Sequence, residues 1–427
     1  MRIEQLKNSI INGELDEKFA VLYDENAILV QRERYLGAID QFVQIFGYDR
    51  DVNLYSVSGR SELAGNHTDH NCGKVIAASI NLDIIAVVSQ NGSDTVNLKS
   101  EGFDRISVNY NQYCEPCENH FGTSASIIAG MCRGFVDNGH RIGGFDAYCT
   151  SSVLRGSGLS SSAAFEDMIG NILNHEFNGG DVSNVEIAQL AQYSENVFFG
   201  KPCGLMDQVA CAYGGIVAID FKDNKNPIIE KIDFDLTKAG YNLCIVDTGG
   251  NHADLTDDYA SVPTEMKSVA AYFGKTHLRF CDGNDIVANA KQIREELGDR
   301  ALMRALHFIR ENERVDSMKA ALTNNDLGAY FDGVLESGRS SFCYLQNVYT
   351  TKNVSEQGLS LAICLTDGFM NGKEGAFRVH GGGFAGTIQA YLKEQDVEEY
   401  RALMDSVFGE GACLVLRVRP YGAVKVN

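Results

Sequence analysis

The segment from residue 144 to residue 177 limits the fold of this chain most, because a strand pattern, a glycine loop and a helix pattern follow one another in it. Phe145, Ala147 and Cys149 alternate as the inward positions of a strand would. An apolar stripe at helical spacing comes later and consists of Phe165, Met168, Ile169, Ile172 and Leu173. The loop "GSGLSSS", residues 156–162, is therefore predicted to join a strand to the N-terminus of a helix.

A loop in that position is suited to binding phosphate. The start of a helix offers free N–H groups and the positive end of the helix dipole, and glycines let the backbone approach an anion closely. Three roles are open to Ser160, Ser161 and Ser162: capping the helix, donating hydrogen bonds to phosphate, or binding Mg²⁺ through a hydroxyl. The P-loop lysine is absent, so a phosphate here would be bound by a different scheme.

Composition excludes several classes of partner. The 427 residues include 37 Lys and Arg against 57 Asp and Glu, and a net charge of −20 repels nucleic acids and anionic membrane surfaces. Neither a signal peptide nor an apolar run of membrane-spanning length is evident. The twelve cysteines are expected to be reduced, and the "CEPC" pair of Cys114 and Cys117 lacks the second ligand pair that a structural zinc site needs. The sequence thus predicts a cytoplasmic protein without a nucleic-acid or membrane partner, and it does not indicate an oligomeric state.

A second glycine cluster lies near the C-terminus, in "VHGGGFAGTIQAYL". Gly381, Gly383 and Gly386 match the G-x-G-x-x-G spacing, but the alternation that follows predicts a strand and not the helix of a dinucleotide-binding unit. Two interpretations remain open. The cluster forms either a tight hairpin or a loop that lies against a ligand or against the first glycine loop.

Two acidic residues between these clusters are candidates for chemistry. Ser183 and Glu186 predict the start of a helix, and Glu195 falls on the apolar stripe of that helix. A carboxylate buried there requires a cation, which could be a metal, an arginine or a lysine. Asp207 and Gln208 follow a glycine turn and precede an apolar run whose pattern is typical of a strand.

Polar residues crowd the stretch "GRSELAGNHTDH", residues 59–70. Three interpretations are open: a metal site built on "HTDH", a solvated turn, or a pocket in which arginine, histidine and aspartate side chains surround the hydroxyl groups of a polar substrate.

Five motifs in this order resemble the GHMP family of small-molecule kinases and, within it, the galactokinases. The motifs are "GRSELAGNHTDHNCGKV", "RGSGLSSSAAFE", "KPCGLMDQVACAYGG", "VDTGGNHADLTDDYASV" and "VHGGGFAGTIQAYL". The resemblance runs from about residue 50 to the C-terminus. It implies ATP-dependent phosphorylation of the anomeric hydroxyl of galactose to galactose 1-phosphate, with Mg²⁺ as cofactor and ATP as co-substrate.

The resemblance also implies a role for each matching residue. Arg60 and Asp207 would act on the sugar hydroxyl that receives the phosphoryl group. The sugar would be bound by Asn66, His67, Asp69, Gly204 and Tyr259. The ATP phosphates would lie against Gly156, Ser157, Gly158, Leu159, Ser160, Ser161, Ser162 and Ala163. Mg²⁺ would be held by Ser161 or Ser162 together with Glu195.

Three positions depart from the galactokinase pattern. Asn66 replaces an acidic residue, Glu62 replaces an asparagine, and His70 replaces a tyrosine. An amide at position 66 removes a negative charge and adds donors, so a uronic acid or a galactosamine derivative is an alternative substrate. A non-catalytic galactose and ATP sensor is a further alternative, against which the intact Ser162, Ala163 and Ala164 argue.

The fold that the resemblance implies is α+β, with two domains of mixed or antiparallel sheets that carry helices on one side. The predicted domains are residues 1–225, in which residues 1–45 form a divergent helical lead, and residues 226–427. The active site would lie in the cleft between the domains.

Overall fold

The computed structural model describes residues 1–153, 158–201, 203–250 and 255–427. The strands are β1 (Asn53–Ala64), β2 (Lys74–Gln90), β3 (Thr95–Ser100), β4 (Ile106–Asn109), β5 (Phe145–Ser151), β6 (Ile216–Asp220), β7 (Ile228–Ile232), β8 (Tyr241–Asp247), β9 (Ala376–His380), β10 (Thr387–Lys393), β11 (Cys413–Leu416) and β12 (Ala423–Lys425). The α-helices are α1 (Ile3–Ile11), α2 (Asp16–Leu22), α3 (Ile28–Phe46), α4 (Ser124–Asp137), α5 (Ser161–Phe177), α6 (Asn184–Tyr193), α7 (Met206–Tyr213), α8 (Thr256–Tyr272), α9 (Gly283–Ala288), α10 (Ala290–Leu297), α11 (Asp299–Thr323), α12 (Leu327–Ser340), α13 (Gly358–Met370) and α14 (Glu394–Phe408). Two π-helical segments, Ser194–Phe199 and Ser341–Leu345, extend α6 and α12.

The strands form two sheets. The larger has the order β12-β1-β2-β5-β3-β4, and β6 pairs with the first part of β2 and with β7. Its pairs are antiparallel except for β3 with β5. The smaller sheet has the order β11-β8-β10-β9 and is antiparallel. This is the predicted α+β class, with one mixed and one antiparallel sheet.

Helices cover both faces of the large sheet, so the expectation of helices on one side is wrong for this sheet. Tyr55 and Val57 of β1 pack towards α4, α5 and α6, whereas Leu54 packs in the opposite core with α1, α2 and α3. Because β1 and β2 are buried on both faces, nearly every residue along them is sequestered from solvent. The first 46 residues supply the second cover.

A third core joins the two sheets. It contains Leu63 and Ile76 of the large sheet, Leu243 and Ile245 of the small sheet, and residues of α11 and α12. The predicted boundary near residue 225 falls between β6 and β7, which both belong to the large sheet, and β12 near the C-terminus returns to β1. The division of the chain into domains at residue 225 stays a prediction.

The patterns that place the glycine loops are confirmed. Residues 145–151 form β5, residues 161–177 form α5, and residues 387–393 form β10. Ser183 caps α6 by accepting a hydrogen bond from the backbone N–H of Glu186 at 3.2 Å. The apolar run after Asp207 is not a strand but the helix α7, because its residues pack between α5, α6 and β1 and only the later residues 216–220 pair with β2.

A buried ionic cluster ties the N-terminal helices and the C-terminal segment to the large sheet. The Asp83 carboxylate of β2 accepts from Arg34 of α3 at 2.7 Å and from Arg419 at 3.1 Å. Burial by itself would raise the pKa of Asp83, but the two guanidinium groups, together with hydrogen bonds from Ser56 and Tyr23, outweigh it and the pKa lies below its ordinary value. The cluster therefore contains an ionised carboxylate at neutral pH.

Replacing this carboxylate should destabilise the fold. Asp83→Asn is expected to lower the free energy of unfolding by about 3–5 kcal/mol, because Arg34 and Arg419 would keep buried charges without their partner. Urea denaturation followed by circular dichroism measures this change. Asp40→Asn is the control, since Asp40 bonds Lys7 at 2.6 Å in an exposed pair, whose loss costs only about 0–1 kcal/mol. Equal losses for the two variants would contradict the prediction.

Candidate active site

An arginine–aspartate pair forms the centre of the site. Arg60 of β1 donates from Nε to Asp207 Oδ1 at 2.7 Å and from Nη2 to Oδ2 at 2.8 Å. Asp207 lies in the first turn of α7, which places the carboxylate at the positive end of that helix. The sequence separates the two residues by 147 positions, and packing of α7 against β1 brings them together.

Both members of the pair are charged. Burial alone would raise the pKa of Asp207, but the Arg60 guanidinium and the Ser160 hydroxyl hold it below its ordinary value. Burial opposes the charge of Arg60, yet the Asp207 carboxylate raises the pKa of Arg60 above its ordinary value. A short bidentate bond between two ionised groups fixes the orientation of each.

The first glycine loop lies directly on this pair. The Gly158 carbonyl accepts a hydrogen bond from Arg60 Nη1, the Leu159 carbonyl accepts one from the Arg60 backbone N–H at 3.1 Å, and the Ser160 hydroxyl donates to Asp207 Oδ2. Gly156 and Ser157 lie outside the described residues. The loop residues that are described thus connect the predicted phosphate-binding segment to the predicted catalytic pair.

Helix α5 begins immediately after these contacts. Ser160 occupies the N-cap position in a left-handed conformation, with φ of 60°, and makes no capping hydrogen bond because its hydroxyl is used by Asp207. Ser161 is the first helical residue, Ser162 is exposed, and Ala163 is buried. The first N–H groups of this helix therefore have no side-chain cap and are available to an anion.

The second glycine cluster adjoins the first. A Cβ atom added to Gly158 would lie 3.0 Å from Thr387 Oγ1 and 3.3 Å from His380 Nδ1, so the chain approaches β9 and β10 closely only because this residue is glycine. The carbonyl of Gly381 accepts from Asn66 Nδ2 at 2.7 Å. Both open interpretations of this cluster are confirmed, because residues 381–386 connect the antiparallel strands β9 and β10 as a hairpin and the ends of these strands lie against Gly158 of the other glycine loop.

A cavity of about 240 Å³ is lined by eight of the sixteen predicted site residues. The predicted residues that line it are Arg60, His67, Asp69, Ser162, Glu195, Gly204, Asp207 and Tyr259. Leu159 and Ala163 are buried beside it, and Ser161 is not part of its lining. The cavity is bounded by β1 and the loop after it, the N-terminus of α5, the residues that precede α7 and its first turn, α8 and the second glycine cluster.

The wall opposite α5 is polar and aromatic. A Cβ atom added to Gly204 would contact the Asp69 carboxylate, so glycine at this position leaves room for that carboxylate. Tyr259 donates to or accepts from His70 Nε2 at 3.3 Å, and its ring centroid lies 5.3 Å from that of His67. An aromatic ring beside a carboxylate and two imidazoles is a surface that suits a polyhydroxylated ligand.

His67 is a neutral member of this wall. Its Nε2 donates to the carbonyl of Gly382 at 2.8 Å. Burial, and then the neighbouring His70, lowers the pKa of His67 to about 3. The imidazole is therefore uncharged at neutral pH, and its Nδ1 has no hydrogen-bond partner among the described residues.

Asn66 does not line the cavity. The residue is 0% exposed, and its amide is held by other parts of the protein. Its Nδ2 donates to Gly381 and Glu62, and its Oδ1 accepts from Asn347 at 2.8 Å and from Ser341 at 3.2 Å. The geometry gives no support to a direct contact between Asn66 and a sugar, because every polar atom of its side chain already has a partner.

The cation that the sequence requires for Glu195 is a lysine in this structure. Lys201 Nζ lies 3.0 Å from Glu195 Oε1, and Gln208 Nε2 lies 3.1 Å from Oε2. Gln208 also donates to Glu166 Oε2 at 3.0 Å. The other carboxylate oxygen of Glu166, Oε1, is buried without a partner among the described residues. Glu195 and Ser162 both line the cavity, and their two side-chain oxygens would fit the preference of Mg²⁺ for few protein ligands completed by phosphates and water.

Comparisons with known proteins show which family the chain belongs to. Residues 125–215 match the family described as GHMP kinases N terminal domain, and residues 40–90 match the galactokinase galactose-binding signature. A galactokinase from Glaesserella parasuis is 30% identical over 375 residues, which cover 85% of this chain and 91% of the relative. The chain belongs to the galactokinase family.

Other family members and solved structures resemble it over similar lengths. The galactokinase of Streptomyces coelicolor is 28% identical over 382 residues, which cover 89% of this chain and 94% of that protein. The galactokinase of Lactococcus lactis complexed with galactose has a TM-score of 0.77 at 22% identity and covers 92% of this chain and 100% of its own. The mevalonate kinase of Methanococcus jannaschii has a TM-score of 0.60 at 15% identity, covering 87% and 98%.

Seven residues that line the cavity were not among the predicted site residues. They are Glu62, His70, Lys201, Cys203, Met206, Gly381 and Gly382. A signal for Lys201 was available, because the sequence places this lysine six positions after a buried carboxylate that needs a cation. Across the described residues, no group of three histidine, cysteine or acidic side chains could bind a metal by itself, and the described cysteines are free.

The neutral state of His67 should be visible in the pH dependence of stability. In the unfolded state, His67 is protonated below its ordinary pKa of about 6.5. In the folded state, it takes up the same proton only near pH 3. Stability from this group is therefore complete above pH 6.5 and is lost as the pH falls. Between pH 6 and pH 4, the free energy of unfolding of the wild type is expected to fall relative to His67→Gln by up to about 1.4 kcal/mol per pH unit. Parallel curves for the two proteins would contradict this.

Proposed function

We propose that this galactokinase family member transfers the γ-phosphoryl group of ATP to the anomeric hydroxyl of galactose and forms galactose 1-phosphate. The observation that carries the proposal is the Arg60–Asp207 pair, which lies on the wall of a polar cavity and is touched by the loop that leads into α5. Phosphoryl transfer to a sugar hydroxyl needs alignment of the two substrates and neutralisation of charge more than covalent chemistry.

The nucleotide phosphates would lie against the N-terminus of α5. The uncapped N–H groups of its first turn and the positive end of its dipole favour an anion, and Ser162 offers a hydroxyl from the same turn. Gly158 permits the approach of this loop to the second glycine cluster, so the phosphates would be placed within reach of Arg60.

The acceptor hydroxyl would meet Asp207. A carboxylate with a lowered pKa is a weak base, so it would first orient the hydroxyl and accept its proton late, when transfer of the phosphoryl group is advanced. Arg60 is charged and held by the same carboxylate, and it would offset negative charge on the phosphoryl oxygens. His67, Asp69, Gly204 and Tyr259 would surround the remaining hydroxyls.

Mg²⁺ would be held by Ser162 and Glu195, and it would supply neutralisation of the phosphate charge. Glu195 would first have to release Lys201. The Lys201 side chain is 62% exposed, so it can turn away at little cost. Ser161 stays a predicted ligand without a place on the cavity wall.

Related anomeric sugar kinases and a non-catalytic sensor are the competing hypotheses. Turnover of a monosaccharide panel separates them, because galacturonate or N-acetylgalactosamine as the better substrate would identify a sister kinase and binding without turnover would identify a sensor. Among the described residues, no helix has the length and apolarity needed to cross a membrane. The cytoplasmic location stays a prediction.

Removing the charge of Asp207 should separate chemistry from nucleotide binding. Asp207→Asn is expected to lower kcat by about 10²- to 10⁴-fold, because the acceptor hydroxyl loses its base, and to leave the Kd of an ATP analogue unchanged. The matched control is Asp220→Asn, since Asp220 bonds Arg279 at 2.7 Å outside the cavity. Unchanged turnover of the Asp207 variant, or an equal loss in the control, would remove the proposed role.

The metal role of Glu195 has a separate test. Glu195→Gln is expected to raise the Mg²⁺ concentration that gives half-maximal activity by about tenfold or more, because an amide is a weaker ligand than a carboxylate. Steady-state rates at saturating ATP and varied Mg²⁺ measure this. Glu186→Gln is the control, since Glu186 lies in the first turn of α6 and bonds His140 away from the cavity. An unaltered metal dependence of the Glu195 variant would return that residue to a structural role.

A further inference from the structure

Glu62 places a further carboxylate in the wall of the active-site cavity, beside Asp69, Glu195 and Asp207. It lies on β1 two residues after Arg60, and its side chain is 5% exposed. Residues i and i+2 of a strand point to the same face, about 6–7 Å apart along the strand. This spacing puts Glu62 within the span of a sugar whose reacting oxygen would lie at Arg60.

One oxygen of this carboxylate is held by the protein. Glu62 Oε1 accepts from Arg378 Nη2 at 2.7 Å and from Asn66 Nδ2 at 3.3 Å. Arg378 is fully buried on β9 and donates also to Ser337. Burial raises the pKa of Glu62, and the Arg378 guanidinium opposes that rise. The side chain is thus fixed in one orientation by a buried partner.

The other oxygen is available. Among the described residues, Glu62 Oε2 has no hydrogen-bond partner, and it is not fully enclosed. Both ends of the Asn66 amide, by contrast, are hydrogen-bonded to the protein, at Gly381, Ser341 and Asn347. Asn66 does not line the cavity. The acidic group that the resemblance to galactokinases would put at position 66 is present in this chain four residues earlier.

We infer that Glu62 is a specificity-determining residue that accepts a hydrogen bond through Oε2 from a non-reacting hydroxyl of the sugar. The inference rests on the proposed function and identifies the class of sugar that this site takes. A sugar with a hydroxyl donor facing Glu62 is favoured. A uronic acid is disfavoured, because two carboxylates would meet in a buried wall. Asn66 considered alone makes a uronic acid an alternative substrate, and Glu62 reverses that expectation.

The test is a comparison of Glu62→Gln with the wild type on galactose and its monodeoxy analogues. On galactose, kcat/KM is expected to fall about 10- to 100-fold, mainly through KM, because a charge-assisted hydrogen bond is lost. On the one deoxy analogue that lacks the partner hydroxyl, the variant and the wild type should differ by less than about threefold. Galacturonate should gain relative to galactose in the variant.

Two controls keep the result interpretable. Glu265→Gln removes a carboxylate that bonds Arg304 at 2.9 Å outside the cavity, and it should leave the selectivity among these sugars unchanged. Binding of an ATP analogue reports whether the Glu62 variant is folded. If it is not, Glu62→Asp withdraws the carboxylate by one methylene and should show the same analogue-specific loss.

The outcomes separate the two hypotheses. An equal fall of kcat/KM on every analogue, or no fall on galactose, would overturn the role of Glu62 while leaving the kinase activity in place. A wild-type protein that phosphorylates galacturonate better than galactose would also overturn the inference. Absence of any turnover of galactose by the wild type would overturn the proposed function, and the inference with it.

Discussion

The bidentate bond between Arg60 and Asp207 is the interaction on which the arrangement of the site depends. It joins a central strand of the large sheet to the first turn of a helix far along the chain, and the glycine loop bonds to both of its members. Arg60 is buried and Asp207 is partly exposed. A buried charge such as that of Arg60 persists only when a partner compensates it and its remaining hydrogen bonds are satisfied. The pair therefore constrains where the loop before α5 and the start of α7 can lie, and it sets the floor of the cavity.

The remaining walls depend on contacts between the two halves of the chain. Backbone carbonyls of Gly381 and Gly382 accept hydrogen bonds from Asn66 and His67, and His380 lies against the first glycine loop. These bonds use neutral donors, so they do not add charge to a cavity that already contains several carboxylates. Glycine matters at these positions for two reasons: a Cβ atom at Gly382 would lie 2.6 Å from the Tyr259 ring, and Gly381 has a φ of +67° that other residues rarely adopt.

The carboxylates in and beside this cavity are each treated differently. Asp207 is held ionised by Arg60, Glu195 is paired with Lys201, and Glu62 is anchored by Arg378. Each carboxylate would therefore have a different role. Asp207 would orient a hydroxyl, Glu195 would exchange its lysine for a metal ion, and Glu62 would accept a hydrogen bond. These roles can be assigned only when the partner of each carboxylate is known, because the surroundings of a carboxylate determine its charge.

Local patterns in the sequence determined the strand, glycine loop and helix of residues 145–177, the strand after the second glycine cluster and the cap of α6, because these features depend on hydrogen bonds and side-chain periodicity within short segments. They also singled out Arg60, Asp207 and Glu195. Tertiary structure alone decided that the run after Asp207 is a helix, that a second layer of helices covers β1 and β2, and that Glu62 rather than Asn66 faces the cavity. Those outcomes depend on which distant segments pack together. The orientation of each buried polar group is determined by its partner in the folded chain, which is a lysine, an arginine or a backbone carbonyl.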